Sequence, residues 1–153
     1  LAQPRTKTVI SHVTAAGQNI LNGQGGNPGQ FERWPNLPLV TTKVPEWAVV
    51  AKVTGFIEGA KLTKAGQARF RAAIEETGDA TNETNANETA PSGNDRRSYS
   101  LGGSIPIDES IRGTTVSIVT QGTPNNANSK GAFETVGGGT SALLQVVFEE
   151  QAT

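Results

Sequence analysis

The sequence predicts a mainly β protein, an antiparallel β-sandwich of the jelly-roll or Greek-key kind. The chain of 153 residues contains 18 Gly and 8 Pro, and aromatic residues make up only 5% of it. This composition is typical of many short strands joined by turns. Several segments also alternate apolar and polar residues between turn-forming clusters. We therefore expect an extended N-terminal arm over residues 1–36 and a single sandwich domain over residues 37–153, large enough to bury a core without disulfides.

Residues 46–58 show a strand pattern, and we expect the rest of the chain to be organised around it. Read with a period of two, one face is apolar and contains Trp47, Val49, Ala51, Val53 and Ile57. The other face contains Lys52, Thr54 and Glu58. Pro45 precedes the pattern and Gly59 is expected to end it. Such a half-buried strand needs a second sheet to cover its apolar face.

The predicted arm combines a short apolar segment with a glycine-rich connector. Thr6–Thr14 alternates poorly but contains three aliphatic residues, Val9, Ile10 and Val13. Residues 22–29 contain four glycines and a proline, and they have too little apolar surface to offset their ordering entropy. Two large aromatic residues follow, Phe31 and Trp34, beside prolines that favour extended backbone. We expect this arm to lie across its own sandwich or across a neighbouring subunit.

One short helix is predicted over residues 63–77. Apolar or small residues recur there at spacings of three and four, at Leu62, Gly66, Phe70, Ala73 and Ile74. Thr63 is placed to cap the start of this helix and Gly78 to end it.

Residues 79–95 contain no large apolar side chain, so they are expected to form an exposed loop. The loop contains two N-x-[ST] sequences, which make Asn82 and Asn87 possible glycosylation sites in an exported chain. A segment rich in Asn and Thr produces such triplets by chance, and we favour that interpretation.

The C-terminal half contains further strand patterns, of which residues 141–150 form the last. Its inner face is predicted to consist of Ala142, Leu144, Val146 and Phe148. Leu143 and Val147 are also apolar and fall on the opposite face. Either the strand is covered on both sides, or its outer face contacts a partner.

Composition argues against several kinds of function. A net charge of −1 provides no field for nucleic acid or an anionic membrane, and no apolar run is long enough for membrane insertion. The chain has no Cys, and His12 is its single histidine. It therefore lacks Cys-based zinc sites, sites with two histidine ligands, and thiol nucleophiles. The glycines at 23–29 fit no phosphate-binding motif. We expect no cofactor and no resident metal.

Carboxylates are the remaining catalytic groups, and they give a weak case for an enzyme. Four of them, Glu46, Glu58, Glu134 and Glu149, lie at or near predicted strands, where a glycosidase would need two facing each other. Asp79, Asn82, Glu83 and Asp95 match no calcium-loop spacing. We therefore expect no catalytic residues and no enzyme activity.

These observations favour a non-catalytic structural subunit, most simply a viral capsid or capsid-decoration protein at the virion surface. Its partners would be copies of itself or a coat protein. The candidate assembly contacts are Val9, Ile10, Val13, Phe31, Trp34, Leu143 and Val147. One alternative is an extracellular filament or pilus subunit that assembles by strand donation around Thr6–Thr14. Another is a carbohydrate-binding module or lectin that binds a glycan on an exposed ring, with Trp34 favoured over Trp47 and Tyr99.

Overall fold

The computed structural model describes residues 3–14, 30–33, 37–62, 66–88, 97–124, 133–135 and 141–151. Within these ranges the chain forms ten strands and one 3₁₀ helix, Glu109–Ile111, and no α-helix. The strands are β1 Thr6–Thr14, β2 Glu32–Arg33, β3 Leu39–Lys43, β4 Val50–Leu62, β5 Gly66–Ile74, β6 Thr84–Glu88, β7 Arg97–Pro106, β8 Thr115–Pro124, β9 Phe133–Thr135 and β10 Ser141–Glu149. The prediction of a mainly β protein is confirmed.

The strands form two sheets in which neighbouring strands are antiparallel. Sheet A has the order β1-β10-β4-β7, and β9 also pairs with β4. Sheet B has the order β2-β8-β5-β6, and β3 also pairs with β8. The pairings are nested along the chain: β1 with β10, β3 with β8, β4 with β7, and β5 with β6. The chain therefore resembles one long hairpin whose successive strand pairs alternate between the two sheets.

The hydrophobic core contains apolar side chains from both sheets. Sheet A supplies the predicted inner face of β10, where Ala142, Leu144, Val146 and Phe148 are at most 1% exposed. Sheet B supplies Phe70 and Ile74 from β5 and Val116 and Ile118 from β8, which belong to the same cluster. The strict alternation of buried and half-buried residues along β10 confirms its predicted inner face.

The strand predicted in residues 46–58 is β4, which is central in sheet A and whose bounds differ from the predicted ones. It pairs with β10 on one side and β7 on the other, and it continues to Leu62. Gly59 does not end the strand, because it lies at a register shift between Ile57 and Ala60 with a φ of 80°. Such a bulge uses the left-handed backbone that glycine adopts readily.

The predicted helix over residues 63–77 is wrong, because residues 66–74 form β5 between β6 and β8. The buried residues of β5 are Ala68, Phe70, Ala72, Ala73 and Ile74, and the half-buried ones are Gln67, Arg69 and Arg71. The period is thus essentially two. It was hidden in the sequence because two inward positions are alanines, whereas the larger apolar residues fall at spacings of three and four. Pairing on both sides overrides this local helical preference.

Part of the predicted loop 79–95 is also a strand. The polar segment Thr84–Glu88 pairs with β5 as β6, at the end of sheet B. Backbone hydrogen bonds to a neighbour are enough for an edge strand, so the lack of large apolar residues did not exclude one. Asn82 is exposed just before β6, and Asn87 lies within it opposite Gln67.

The N-terminal segment contributes an integral strand. Thr6–Thr14 pairs with β10 over nine residue pairs, and its burial alternates without interruption. Residues 1–2, 15–29 and 34–36 of the predicted arm lie outside the described residues, so the division into arm and domain stays a prediction. Removal of the first 30 residues would take away a strand of sheet A as well as any arm.

We predict that the two faces of β10 differ sharply in their effect on stability. Phe148→Ala should lower the free energy of unfolding by about 3–5 kcal/mol, because it empties a fully buried ring site between the sheets. Gln145→Ala, on the outer face of the same strand, should change it by less than about 0.5 kcal/mol. Urea unfolding followed by fluorescence measures both, and equal effects would contradict the assigned faces.

Candidate functional site

The outer face of sheet A brings together three of the predicted contact residues. Ile10 of β1 pairs with Gln145 of β10, and Gln145 lies between Leu143 and Val147 on the same face. Leu143 in turn pairs with Phe56 of β4. Ile10 is 55% exposed, whereas the other three are half-buried. We call these four residues, Ile10, Phe56, Leu143 and Val147, the outer apolar patch.

The residues around the outer apolar patch have small and mostly uncharged side chains. On β7 the same face contains Ser100, Gly102 and Ser104, which lie opposite residues of β4. On β1 it contains Thr8 and His12, which flank Ile10 and are exposed. At one end Lys52 forms an ion pair with Glu149 at 3.2 Å, so these two charges largely neutralise each other. The side chains around the patch are therefore short and carry little net charge, so another protein surface can approach it closely.

Phe56 belongs to this patch but was not predicted from the sequence. It has the same parity as Lys52 and Thr54, so the strand pattern placed it on the polar face of β4. The available signal was this single aromatic residue on a face expected to contact solvent. Its neighbour across the sheet, Leu143, could be identified only from the strand register.

Arg5 and Glu150 fasten the start of β1 to the end of β10. The backbone N–H of Arg5 donates to Glu150 Oε2 at 2.8 Å, and Arg5 Nη2 donates to Glu150 Oε1 at 2.8 Å. The backbone N–H of Glu150 donates in return to the Arg5 carbonyl at 3.0 Å. The guanidinium hydrogen bond, followed by the backbone one, holds the pKa of Glu150 below its ordinary value of 4.5. The two strand ends therefore form a charge-assisted clasp.

The other predicted contacts lie elsewhere. Val9 and Val13 face the interior and pack against the core, although they remain partly exposed. Phe31 lies beside sheet B, where the guanidinium of Arg71 is 4.0 Å and that of Arg69 5.6 Å from the ring centroid. Trp34 is outside the described residues. The structure thus separates the predicted set into an outer group, an inward group and a group beside the second sheet.

Trp47 lines a shallow depression of about 340 Å³ together with Lys7, Lys43, Val44, Pro45 and Glu46. The indole is half-buried and packs against the core. The Arg5 guanidinium lies 5.4 Å from the centroid of its ring, within the range of a cation–π contact. Lys7 Nζ donates to the Lys43 carbonyl at 2.8 Å. Aromatic and polar groups are therefore adjacent here. The Arg5 guanidinium and the Lys7 ammonium group, however, already have contacts within the protein.

Two of the carboxylates considered for catalysis, Glu58 and Glu149, do not form a pair on sheet A. Glu58 accepts a hydrogen bond from the hydroxyl of Ser141 at 3.2 Å, whereas Glu149 pairs with Lys52. Glu58 lies opposite Ser141 and Glu149 opposite Val50, at the two ends of the β4–β10 ladder and about 27 Å apart along it. Among the described residues, no three His, Cys, Asp or Glu side chains cluster as metal ligands. The described part of the chain also contains no helix long and apolar enough to span a membrane.

Comparisons with known proteins give a likeness of fold. No family model matches the chain, and no curated protein sequence matches it. Dimeric latent PorU from Porphyromonas gingivalis is similar with a TM-score of 0.54 and 10% identity, over 97% of this chain and 13% of that one. A structure of infectious bursal disease virus Gx strain gives a TM-score of 0.38 and 12% identity, over 97% and 40% of the two chains.

The CBM22-1 xylan-binding domain of Paenibacillus barcinonensis Xyn10C gives a TM-score of 0.24 and 12% identity, over 90% of this chain and 98% of that one. The chain therefore spans a small part of the PorU chain and less than half of the viral one. At these identities the PorU match shows the fold alone, and the two lower scores carry no argument about function.

We predict that the Arg5–Glu150 clasp stabilises the fold in a pH-dependent way. The folded-state pKa of Glu150 is lowered, so the ionised carboxylate stabilises the fold at pH values above the ordinary pKa of 4.5. This stabilisation is lost as the pH falls through the folded-state pKa. The stability difference between wild type and Glu150→Gln should thus be constant above about pH 5 and shrink below it. The pKa of Asp108 is also lowered, by hydrogen bonds from Ser110. Because both proteins contain Asp108, its pH-dependent contribution cancels in the stability difference.

Urea unfolding between pH 7 and pH 3 measures this difference, and Arg5→Gln supplies the matched background. In that background the effect of Glu150→Gln should be smaller, because only the backbone N–H still contacts the carboxylate. A difference that grows as the pH falls would contradict the clasp.

Proposed function

We propose that this chain is a non-catalytic structural subunit of a larger assembly, of the viral capsid or capsid-decoration kind, with its place at the virion surface. It would associate with copies of itself or with a coat protein through the surface that contains the outer apolar patch. The observation that carries the proposal is that an apolar patch on the outer face of sheet A extends to Ile10 on its terminal strand, where 55% of that residue is exposed.

The order of the strands supports a jelly-roll topology for this subunit. A jelly roll arises when a long antiparallel hairpin is wrapped so that its successive strand pairs alternate between two sheets. The nested pairs β1–β10, β3–β8, β4–β7 and β5–β6 follow that scheme, with β2 and β9 as short additions. Viral capsid and lectin domains both use this architecture, so topology alone does not separate the candidate functions.

The outer apolar patch favours assembly for energetic reasons. Fully burying an isoleucine side chain contributes about 1.5–3 kcal/mol, and roughly half of that remains available at Ile10. Phe56, Leu143 and Val147 are half-buried by their neighbours, so they present further apolar area without needing to rearrange. Clustered exposed apolar residues mark interaction sites more often than single ones do.

We expect the wild type to associate in a concentration-dependent manner and Ile10→Ser to associate about tenfold less tightly, because burial of that side chain drives contact. Light scattering of the native protein, followed by negative-stain imaging, measures both properties. Asn85→Ser, at an exposed position of sheet B, is the matched control and should behave as wild type. A wild type that stays monomeric at the highest soluble concentration would refute the structural-subunit proposal.

An extracellular filament subunit is a related candidate, in which β1 of one copy would complete the sheet of the next. The position of β1 at the end of sheet A favours this candidate. The same images distinguish the two, because strand donation produces linear filaments whereas a capsid subunit produces closed or lattice-like particles.

A carbohydrate-binding module is the second candidate, and the depression beside Trp47 is the observation in its favour. We expect no retention of the wild type on polysaccharide columns, because the Arg5 guanidinium already lies over the indole that a sugar ring would contact. Affinity electrophoresis in xylan, cellulose and mannan gels measures this. Retention that is lost in Trp47→Ala but kept in Val147→Ala would transfer the assignment to glycan binding.

A further inference from the structure

Strand β1 has the properties of an edge that is open to pairing. It pairs with β10 on one side, and in the described part of the chain no strand pairs with its other side. Its nine residues contain no Gly or Pro, and its register with β10 has no shift. The opposite terminal strand of sheet A, β7, contains Gly102, Gly103 with a φ of 150°, and Pro106. Glycine, irregular backbone and proline weaken a sheet edge for pairing, and β1 has none of them. Its one charged residue, Lys7, points inwards and donates its Nζ to the Lys43 carbonyl.

The backbone groups of β1 that face its free edge can be assigned from one hydrogen bond. The N–H of Glu150 donates to the carbonyl of Arg5, so the polar groups of Arg5 face β10. The direction of these groups alternates along an antiparallel strand. The backbone N–H and C=O groups of the odd-numbered residues of β1 therefore point toward β10, and those of the even-numbered residues point toward the free edge. The outward set consists of Thr6, Thr8, Ile10, His12 and Thr14. Their N–H and C=O groups form a regular row of donors and acceptors.

The sequence of β1 is compatible with pairing to itself. Antiparallel pairing over the full nine residues places Ile10 opposite Ile10, Thr8 opposite His12, and Thr6 opposite Thr14. The backbone groups of all these residues point toward the free edge, as reciprocal hydrogen bonding between the two strands requires. On the inner face Lys7 would lie opposite Val13, so no like charges meet. β-Branched pairs such as Ile–Ile and Thr–Thr are favourable across strands.

We propose that β1 pairs antiparallel with β1 of a second copy, about a two-fold axis that passes beside Ile10. This inference rests on the proposed structural function and specifies its first contact. The two A sheets then form one continuous sheet in the order β7-β4-β10-β1-β1-β10-β4-β7. The exposed Ile10 side chains of the two copies become neighbours, and the two outer apolar patches merge across the axis. Val9 and Val13, which are only partly covered at this edge, gain further burial.

The size of the contact predicts a weak dimer. A nine-residue strand is about 30 Å long and stacked sheets lie about 10 Å apart, so the pairing covers about 300 Å² on each copy. The total of about 600 Å² is roughly half of the lower limit of about 1,200 Å² for stable interfaces. The contact is therefore reversible by itself and becomes strong only when several contacts act together in an assembly.

Cross-linking of single cysteine variants tests the register directly, since the chain contains no native cysteine. In the proposed dimer the two Cα atoms at position 10 are about 5.5 Å apart. The two at position 6 are about 27 Å apart along the ladder. A short bifunctional thiol reagent should therefore link Ile10→Cys to itself and leave Thr6→Cys as monomer. A mixture of Thr6→Cys and Thr14→Cys should link as a heterodimer.

Charge variants at the axis give a second, independent readout by sedimentation. Ile10→Lys and Ile10→Glu should each dimerise at least about tenfold more weakly than wild type, because like charges then lie opposite each other. An equimolar mixture of the two should recover dimerisation. Thr54→Lys, on the outer face of sheet A but away from the edge, should dimerise as wild type does.

The outcomes separate failure of this inference from failure of the proposed function. If the wild type associates while Thr54→Lys abolishes association and Ile10→Cys gives no specific link, the sheets stack face to face and the edge pairing is refuted. If Ile10→Lys assembles into filaments of wild-type length, β1 is donated rather than paired edge to edge, which also refutes it. A wild type that never associates refutes both proposals.

Discussion

Strand β10 is the element on which the rest of the structure depends. It lies between β1 and β4 and alternates strictly, so its buried residues fix the register of both neighbours. A slip of one residue would turn Leu144, Val146 and Phe148 outwards and expose the core of sheet A. The same register determines which residues of β1 and β4 lie on the outer face. The outer apolar patch is therefore a consequence of how the core is packed.

Core packing explains which strands the sequence predicted well. Where an inward face consists of large aliphatic and aromatic residues, as in β10, the period of two was evident. Where the inward residues are small, as Ala68 and Ala72 are in β5, the alternation was masked by larger residues at other spacings. In β6 it was absent, because a polar edge strand is maintained by backbone pairing with β5. Such strands depend on neighbours that are distant in sequence, which local patterns do not encode.

The candidate site shows the same division between local and distant information. Ile10, Leu143 and Val147 were recognisable as apolar residues that did not fit a simple inward face. Val9 and Ile10 are adjacent, however, and the sequence alone does not determine which of them faces the core. The pairing of Val9 with Val146 and of Ile10 with Gln145 settles it, because Val146 is buried and Gln145 is not. Membership of the patch is thus a property of register, as it also is for Phe56.

The two ends of sheet A impose different requirements on an assembly. At β7 the glycines and Pro106 discourage another strand, whereas at β1 the backbone is regular. The Arg5–Glu150 clasp and nine residue pairs hold β1 against its own β10. Strand donation would break that pairing within one copy and form it again between two copies, so it adds no backbone hydrogen bonds along β1. Edge pairing adds hydrogen bonds to those that β1 and β10 already make. The net gain in hydrogen bonds therefore favours association of complete subunits over exchange of their first strand.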